Sequence, residues 1–219
     1  DIGGGTTEVA IFHDGIILHT AVISFGGDVI TEDVKEGCSI IKKHAEELKV
    51  KFGSALASEN KEEEVVAIPG LRGRPPKEIT LKNLASIIQA RIEEIIEHVY
   101  FEIKNSGYEN KLIAGIVLTG GGSLLKHIGQ LTEFMTGMDT RIGYPNEHLA
   151  EGTPEELASP TYSTGIGLVI EGFERYDYEN RQTSNNENPK VEATSQRTND
   201  KSFFQKIQDF FDNETEDLN

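Results

Sequence analysis

Two runs of three consecutive glycines, at positions 3–5 and 120–122, constrain this chain more than any other feature. The first run precedes the β-rich stretch Thr6–His13, and the second follows the apolar stretch Leu112–Thr119. Because glycine has no Cβ, turns of this kind let backbone N–H groups approach a phosphate closely. The second run also leads into a predicted helix, Ser123–Met135, whose N-terminal N–H groups could face an anion. The sequence therefore predicts two glycine turns at strand ends. A tight turn that binds nothing remains the alternative for the first, and the second is a weak signal when taken singly.

The stretch between the two glycine runs alternates between strand and helix patterns. The β-rich runs 6–13 and 16–24 flank an Asp-Gly pair, which is typical of a two-residue hairpin turn. In Asp28–Phe52 the apolar residues recur at three- and four-residue steps, which predicts two helices divided near Gly37. Val65–Gly73 predicts a short strand and a turn.

The best-defined predicted element is a long helix that begins at a Thr80 cap and ends at Gly107. A strand near Thr140–Gly143 and a helix over Tyr162–Phe173 are predicted further along. Strands that alternate with helices indicate an α/β domain, into which the mixed stretch from Asp28 to about Ile92 is inserted. The apolar stripe of the long helix consists of Leu81, Leu84, Ile87, Ile88, Ile92, Ile95, Ile96, Val99 and Ile103.

Composition excludes several classes of function. The 37 acidic residues against 21 Lys and Arg give a net charge of −16, which disfavours nucleic acid as a partner. The single cysteine, Cys38, excludes an internal disulfide, and the six histidines have no ligand spacing that would indicate a metal site. No apolar run approaches the roughly 20 residues that a membrane-spanning helix needs. Because the chain begins with Asp1 against the first glycine run, we expect a preceding segment.

The end of the chain differs from the rest in composition. Residues 179–200 are rich in polar residues and almost free of large apolar ones, so we expect a disordered linker there. Residues 201–212 follow with a predicted amphipathic helix, and 213–219 form an acidic tail. The apolar face of that helix is made of Phe203, Phe204, Ile207, Phe210 and Phe211. This face is expected to bind a membrane surface, and docking on a protein is the alternative.

Five motifs occur in a fixed order: DIGGGTTE, SFGGD, the pair Glu46 and Lys49, LTGGGS and STGIGL. This series resembles the second lobe of the actin, Hsp70 and sugar-kinase ATPase superfamily. The segment IPGLRGRPPK, followed by the long helix, is similar to the bacterial cell-division FtsA family. The resemblance covers about residues 1–175. It implies an α/β fold of the actin-like, ribonuclease H-like kind: ATPase lobe 2 with an inserted α+β subdomain.

The resemblance also implies a domain organisation. Subdomain 2A would comprise 1–27 and 93–178, and the inserted subdomain 2B would comprise 28–92. The linker 179–200, the membrane-targeting helix 201–212 and the acidic tail would complete the chain. The other phosphate loop and the first lobe would lie upstream of the sequence.

A site for ATP and Mg²⁺ is implied residue by residue. The phosphate-contacting loop would consist of Asp1, Gly3, Gly4, Gly5 and Thr6, and Asp1 would hold Mg²⁺ through a bound water. The adenosine motif would consist of Gly120, Gly121, Gly122 and Ser123. Glu46 and Lys49 would flank the adenosine, and an ordinary surface salt bridge is the alternative for this pair.

The partners implied by the resemblance are the C-terminal tail of FtsZ, further copies of the chain in a filament, other division proteins and the inner-membrane lipid surface. The basic residues Arg72, Arg74 and Lys77 lie in the implied subdomain 2B and are expected to receive the acidic FtsZ tail, and a solvated loop that binds nothing is the alternative. The implied function is that of an ATP-binding, polymerising adaptor that tethers the FtsZ ring to the inner face of the cytoplasmic membrane, with at most slow ATPase activity. Without the first lobe, the chain by itself is expected to hydrolyse no ATP. A sugar- or acetate-kinase-type phosphotransferase is the enzymatic alternative, and an Hsp70-like chaperone is a weaker one.

Overall fold

The computed structural model describes residues 1–69, 75–147, 149–150 and 152–186. The chain divides into two units. The first contains Asp1–Tyr144 together with Pro160–Ser163, and the second contains the other described residues from Pro145 onward. Each unit is considered by itself below.

The elements follow the alternation that the sequence predicts. The strands are β1 (Thr7–His13), β2 (Ile16–Ile23), β3 (Val65–Ile68), β4 (Lys77–Thr80), β5 (Ile116–Leu118) and β6 (Thr140–Ile142). The α-helices are α1 (Gly27–Cys38), α2 (Lys42–Phe52), α3 (Leu81–Asn105), α4 (Ile128–Thr136) and α5 (Ser163–Asn186). Short 3₁₀ segments occur at Ala57–Glu59, Glu109–Lys111, Gly121–Leu124, Glu155–Ala158 and Pro160–Tyr162.

The strands form three pairs. β1 and β2 are antiparallel with an irregularity between Ile11 and Phe12, β3 and β4 are antiparallel, and β5 and β6 are parallel. Asp14 and Gly15 have φ of 50° and 75°. Positive φ at both central residues is the requirement of the hairpin turn that the Asp-Gly pair predicts.

The core of the first unit is built around α3, as its apolar stripe predicts. Ile88, Ile92 and Ile95 are fully buried and pack in one cluster with Ile30 and Val34 of α1. Burying each of these side chains contributes about 1.5–3 kcal/mol, which makes α3 the main support of the unit.

Both predicted ends of α3 are confirmed. The Thr80 hydroxyl accepts a hydrogen bond from the backbone N–H of Asn83, so it satisfies one donor at the helix start. Gly107 has φ of 73° just beyond the last turn, where the left-handed conformation ends many helices.

Two elements near the second glycine run are shorter than predicted. The predicted strand Leu112–Thr119 pairs only over Ile116–Leu118, because Gly115 has φ of 74° and turns the chain just before it. The predicted helix Ser123–Met135 begins only at Ile128. His127, with φ of 62°, interrupts it, so a 3₁₀ segment and a helix take the place of one helix.

The last described helix is longer than predicted. α5 continues to Asn186, well beyond Phe173 and into the segment that was expected to be a linker. The composition of this segment prevents it from forming a core but does not prevent it from being helical. Earlier in α5, Arg175 pairs with Glu171 one turn away at 2.7 Å. Residues 187–200, the amphipathic segment 201–212 and the acidic tail lie outside the described residues.

The predicted division into subdomains 2A and 2B remains a prediction. The first unit keeps residues 28–92 with its other residues, and α3 runs without interruption across position 92. Among the described residues, no helix is both long and apolar enough to span a bilayer.

Candidate functional site

A cleft of about 340 Å³ lies in the first unit and brings together segments that are far apart in the sequence. One wall comes from the first glycine turn, α1 and α2, and the other comes from the second glycine run. The lining consists of Gly3, Gly4, Gly27, Asp28, Ile30, Glu46, Lys49, Val50, Gly121, Gly122, Leu124, Leu125 and Thr161.

The first glycine turn is attached to the N-terminus of α1. The Gly3 N–H closes the turn on the Thr6 carbonyl at 2.9 Å. The carbonyls of Gly3 and Gly4 accept the N–H groups of Gly27 and Asp28 at 2.9 and 2.8 Å. α1 has no side-chain cap, so these carbonyls satisfy donors that a helix start would otherwise leave unpaired. The turn and the helix therefore form one structural unit.

Gly26 makes this attachment possible. A Cβ at this position would lie 2.5 Å from the Gly3 carbonyl oxygen and 2.8 Å from that of Thr6. Both neighbours are backbone atoms that cannot turn aside, so only glycine allows the two segments to approach so closely.

The predicted pair of Glu46 and Lys49 exists as a salt bridge of 2.8 Å, with the lysine side chain only 12% exposed. The Lys49 ammonium also donates to the Gly27 carbonyl at 2.8 Å and to the Thr31 hydroxyl at 2.7 Å. Three acceptors match the three donors of an ammonium group. Lys49 therefore ties α2 to the start of α1, which is more than an ordinary surface pair does.

The environment of Glu46 changes its acidity. Partial burial acts to raise the pKa of this carboxyl, but hydrogen bonds from Lys49 and Thr31 outweigh it and hold the pKa below its usual value. Hydrogen bonds to the charged form favour ionisation. Glu46 is therefore an anion at neutral pH, and its charge is used to hold Lys49.

The second glycine run packs tightly against Ile2. Gly120 has φ of 81°, and its Cβ would lie 2.1 Å from the Asp1 carboxylate Oδ1. The Cβ of Gly122 would lie 2.3 Å from the Ile2 side-chain carbon Cγ2. The Gly122 N–H donates to the Ile2 carbonyl at 2.8 Å. Gly121 differs, because the nearest atom to its Cβ would be the Thr161 hydroxyl oxygen at 3.9 Å. Of the three glycines in the second run, only Gly121 thus has space for a Cβ.

The residues predicted for the nucleotide site have different positions. Gly3, Gly4, Glu46, Lys49, Gly121 and Gly122 line the cleft. Asp1, Gly5, Thr6, Gly120 and Ser123 are not part of its lining. The buried Ser123 hydroxyl donates to the Gly120 carbonyl at 2.8 Å, and the Thr6 hydroxyl contacts the Glu8 carboxylate at 3.4 Å. These hydroxyls hold the local structure of the two glycine runs.

The residues predicted for partners are mostly outside the described part of the chain. This is the case for Arg72 and Arg74 and for the whole apolar face of 201–212. Lys77 is described, and its ammonium donates to the carbonyl of Cys38 at the C-terminal end of α1. A cation at this end of a helix is stabilised by the helix dipole, so this contact stabilises the end of α1. The expected role of Lys77 in binding a partner stays a prediction.

Several cleft residues were not predicted individually. Asp28 was visible only as part of the SFGGD motif. Thr31 does not line the cleft but contacts Glu46 and Lys49, and it belongs to an apolar-periodic stretch that gave no polar signal. Val50, Leu124, Leu125 and Thr161 carry no pattern of their own, since their position in the cleft depends on tertiary contacts.

The sequence of the chain is similar to those of known proteins. The sequence profile of the family described as cell division protein FtsA matches residues 1–167. The chain is 39% identical over 175 residues to cell division protein FtsA of Pseudomonas aeruginosa, covering 80% of this chain and 42% of the relative. It is 36% identical over 200 residues to that of Borreliella burgdorferi, covering 91% of this chain and 46% of the relative. The chain thus spans less than half the length of these relatives.

Solved structures resemble the chain in fold. The crystal structure of MreB5 of Spiroplasma citri bound to AMPPNP has a TM-score of 0.64 at 22% identity, covering 84% of this chain and 54% of that one. At this identity the likeness concerns the fold, which is the actin-like fold that the order of motifs implied. The family profile matches three quarters of the chain, and the chain therefore belongs to the FtsA family of cell-division proteins.

Proposed function

We propose that the cleft binds ATP together with Mg²⁺ and that the chain is part of an actin-like cell-division adaptor. The observation that carries this proposal is the convergence on one cleft of residues 3–4, 27–50 and 121–125, which are far apart in sequence. Structures of the same fold are described as bound to ADP and AMPPNP, which supports a nucleotide as the ligand.

The first glycine turn is suited to the phosphates. Its carbonyls are engaged by α1, whereas the N–H groups of Gly4 and Gly5 donate to no backbone carbonyl within the described residues. Backbone N–H groups in a glycine turn, next to the positive end of a helix, favour an anion. The aliphatic side chains of Val50, Leu124 and Leu125 supply an apolar part of the cleft for the base.

The charges of the cleft suit a nucleotide that arrives with a metal ion. The lining contains the carboxylates of Asp28 and Glu46 and the ammonium of Lys49, which is already paired. A triphosphate would therefore meet little positive charge on this wall. Mg²⁺ supplies neutralisation of phosphate charge when it is bound, and it is usually held by phosphates and water rather than by a protein cage.

The described residues fit a Mg²⁺ ion that is held jointly with the phosphates better than one that is held by protein ligands alone. Within the described ranges, no group of three or more His, Cys, Asp or Glu side chains could hold a metal by itself. Asp1 lies against Gly120 at the edge of the second glycine run, from which a water-mediated contact to the ion is proposed.

The adaptor role rests on the family and on the sequence beyond the described residues. We propose that the Phe-rich segment 201–212 binds the inner-membrane surface and that Arg72, Arg74 and Lys77 receive the acidic FtsZ tail. Self-association into filaments would add avidity to a single weak membrane helix. Membership of the FtsA family favours this role over the kinase-type alternative.

Gly121→Val tests the nucleotide site. The new side chain has room at Gly121 and projects beside the cleft, so the chain should fold but lose ATP binding. Gly129→Val in α4 is the matched control, since the nearest atom to its Cβ would be the Thr140 carbonyl oxygen at 4.0 Å and it does not line the cleft. Saturation-transfer NMR with ATP and Mg²⁺ detects even weak binding. Absence of transfer in the unmodified chain, or equal transfer in both variants, would overturn the proposal.

A further inference from the structure

The two walls of the cleft are joined by a short junction between the end of α2 and the second glycine run. The Ala55 N–H donates to the Lys126 carbonyl at 2.8 Å, and the Lys126 N–H donates to the Gly53 carbonyl at 3.3 Å. Ser54 and Lys126 thereby form a parallel bridge outside the six strands. Two backbone hydrogen bonds connect segments that are more than 70 residues apart in the sequence.

A side-chain pair reinforces this junction. Ser54 is fully buried, and its Oγ lies 3.0 Å from Nδ1 of His127. The same Oγ contacts the carbonyl of Leu56 at 3.1 Å and its N–H at 3.3 Å. When Nδ1 carries a proton it donates to Ser54, which then donates to Leu56, and otherwise the serine donates to Nδ1. The contact is thus compatible with either state of the ring.

His127 has an unusual backbone conformation at this point. Its φ of 62° and ψ of 11° are left-handed, and α4 begins immediately after it without a side-chain cap. A non-glycine residue in this region costs about 1–2 kcal/mol relative to a right-handed one. Such a conformation persists where surrounding contacts determine it. The contact here is the hydrogen bond between the imidazole of His127 and the hydroxyl of Ser54.

The junction adjoins residues of both cleft walls. The Gly53 N–H donates to the Lys49 carbonyl at 2.9 Å, and a Cβ at Gly53 would lie 2.6 Å from the Leu125 side-chain carbon Cδ2. Lys49 and Leu125 line the cleft from α2 and from the second glycine run. Movement at the junction would therefore change the distance between these two lining residues.

We infer that Ser54 and His127 form a latch that sets the width of the cleft. They do not line the cleft, so they act as positioning residues for a ligand that other residues contact. This inference rests on the proposed nucleotide site. It assigns part of the ATP affinity of that site to the Ser54–His127 contact, which lies outside the lining of the cleft.

The first test separates positioning from stability. His127→Gly removes the imidazole and also relieves the left-handed strain, so the chain should be as stable as before or more so. ATP affinity should nevertheless fall about fivefold, the equivalent of one lost hydrogen bond. His127→Asn, which tolerates the left-handed conformation and keeps a hydrogen-bonding group, should restore the affinity. Ser54→Ala should weaken binding by a similar factor, and the double variant should be no weaker than either single one.

Ser39→Gly is the matched control for strain relief. Ser39 has φ of 50° and is exposed at the end of α1, outside the cleft lining. This variant relieves the same kind of strain without touching the junction, and ATP affinity should not change. An unchanged affinity in His127→Gly and Ser54→Ala would overturn the latch.

A measurement without nucleotide distinguishes failure of the latch from failure of the nucleotide site. Spin labels on Val50→Cys and Leu124→Cys report the distance between the walls, since these side chains are 72% and 52% exposed. Burial raises the pKa of the Cys38 thiol, and this residue is only 2% exposed, so it resists labelling. The distance distribution should be broader in His127→Gly and Ser54→Ala than in the labelled parent. Equal widths would overturn the latch whether or not ATP binds.

Discussion

The two glycine runs are nearly identical in composition and differ in physical role. At positions 4 and 5 a Cβ would meet nothing closer than the Asp28 carboxylate at 3.4 Å, and the backbone is held from behind by α1. At positions 120 and 122 a Cβ would collide with Asp1 or Ile2 at 2.1–2.3 Å. The first run therefore has free space on its exposed side, whereas Gly120 and Gly122 of the second run are packed against Asp1 and Ile2.

Ile2 connects the two runs. Its N–H donates to the Thr119 carbonyl at 2.9 Å, and its carbonyl accepts from Gly122. The side chain is 2% exposed and belongs to the main core. A glycine run next to a strand can thus serve ligand binding or dense packing, and the residues that approach it decide which role it has.

The largest expected effect is that of Gly122→Ala. The added methyl would overlap Cγ2 of Ile2, so the free energy of unfolding should fall by about 3 kcal/mol. Gly121→Ala is the control and should change stability little, since its Cβ has open space. Denaturant unfolding monitored by circular dichroism measures both. Combining Gly122→Ala with Ile2→Leu, which removes the β-branch, should recover part of the loss. Equal stability of the two glycine variants would mean that the second run is as open as the first.

Gly26→Ala should have the next largest effect. Its methyl would meet three backbone oxygens of the first turn at 2.5–3.0 Å. We expect the free energy of unfolding to fall by about 2 kcal/mol and ATP binding to weaken, because the turn must separate from α1. Gly27→Ala is the adjacent control, with its nearest contact at 3.4 Å. Loss of binding without loss of stability in Gly26→Ala would show that the turn moves independently of α1.

Acid should weaken the Glu46–Lys49 contact, which ties α2 to the start of α1 beside the first run. The folded-state pKa of Glu46 is lowered, so its stabilising contribution is complete above the usual value of 4.5 and is lost as the pH falls through the lowered pKa. Because Glu46 is about half exposed, the contribution at neutral pH should be below about 1 kcal/mol. The stability difference between the parent chain and Glu46→Gln, measured by urea unfolding from pH 7 to 3, should shrink towards zero. A difference that is constant with pH would assign the effect to packing rather than charge.

The smallest expected effect is that of Gly5→Ala. No atom lies within 4 Å of the Cβ position, and the backbone is not in the left-handed region. The substitution should leave stability unchanged or raise it by about 0.5 kcal/mol, because it restricts the unfolded chain. Thermal unfolding against the parent chain measures this. A loss comparable to that of Gly122→Ala would remove the distinction between the two runs.

Much of the first unit could be predicted from the sequence because its signals are local. The stripe of α3, its Thr80 cap and the Asp14-Gly15 turn depend on residues within a few positions of one another. The predictions differed where a backbone reversal carried no such signal. A single histidine is only a weak signal for a left-handed conformation, although its type is enriched there, so the sequence places the start of the helix after the second glycine run too early.

The candidate site was predictable as a set of motifs but not as a geometry. Six of the residues proposed from the motifs line the cleft, because the glycine turns and the Glu46–Lys49 spacing are short-range features. The participation of Thr31 and Thr161 was not predictable, since no local pattern distinguishes them from other threonines.

The sequence by itself determined where α3 and the Asp14-Gly15 turn lie, because hydrophobic periodicity and turn chemistry act between near neighbours. Only the tertiary structure decided which glycines line the cleft and which accommodate packing. The reason is that the role of a glycine depends on the atom that approaches it, and Ile2, which approaches Gly122, lies 120 residues away in the sequence.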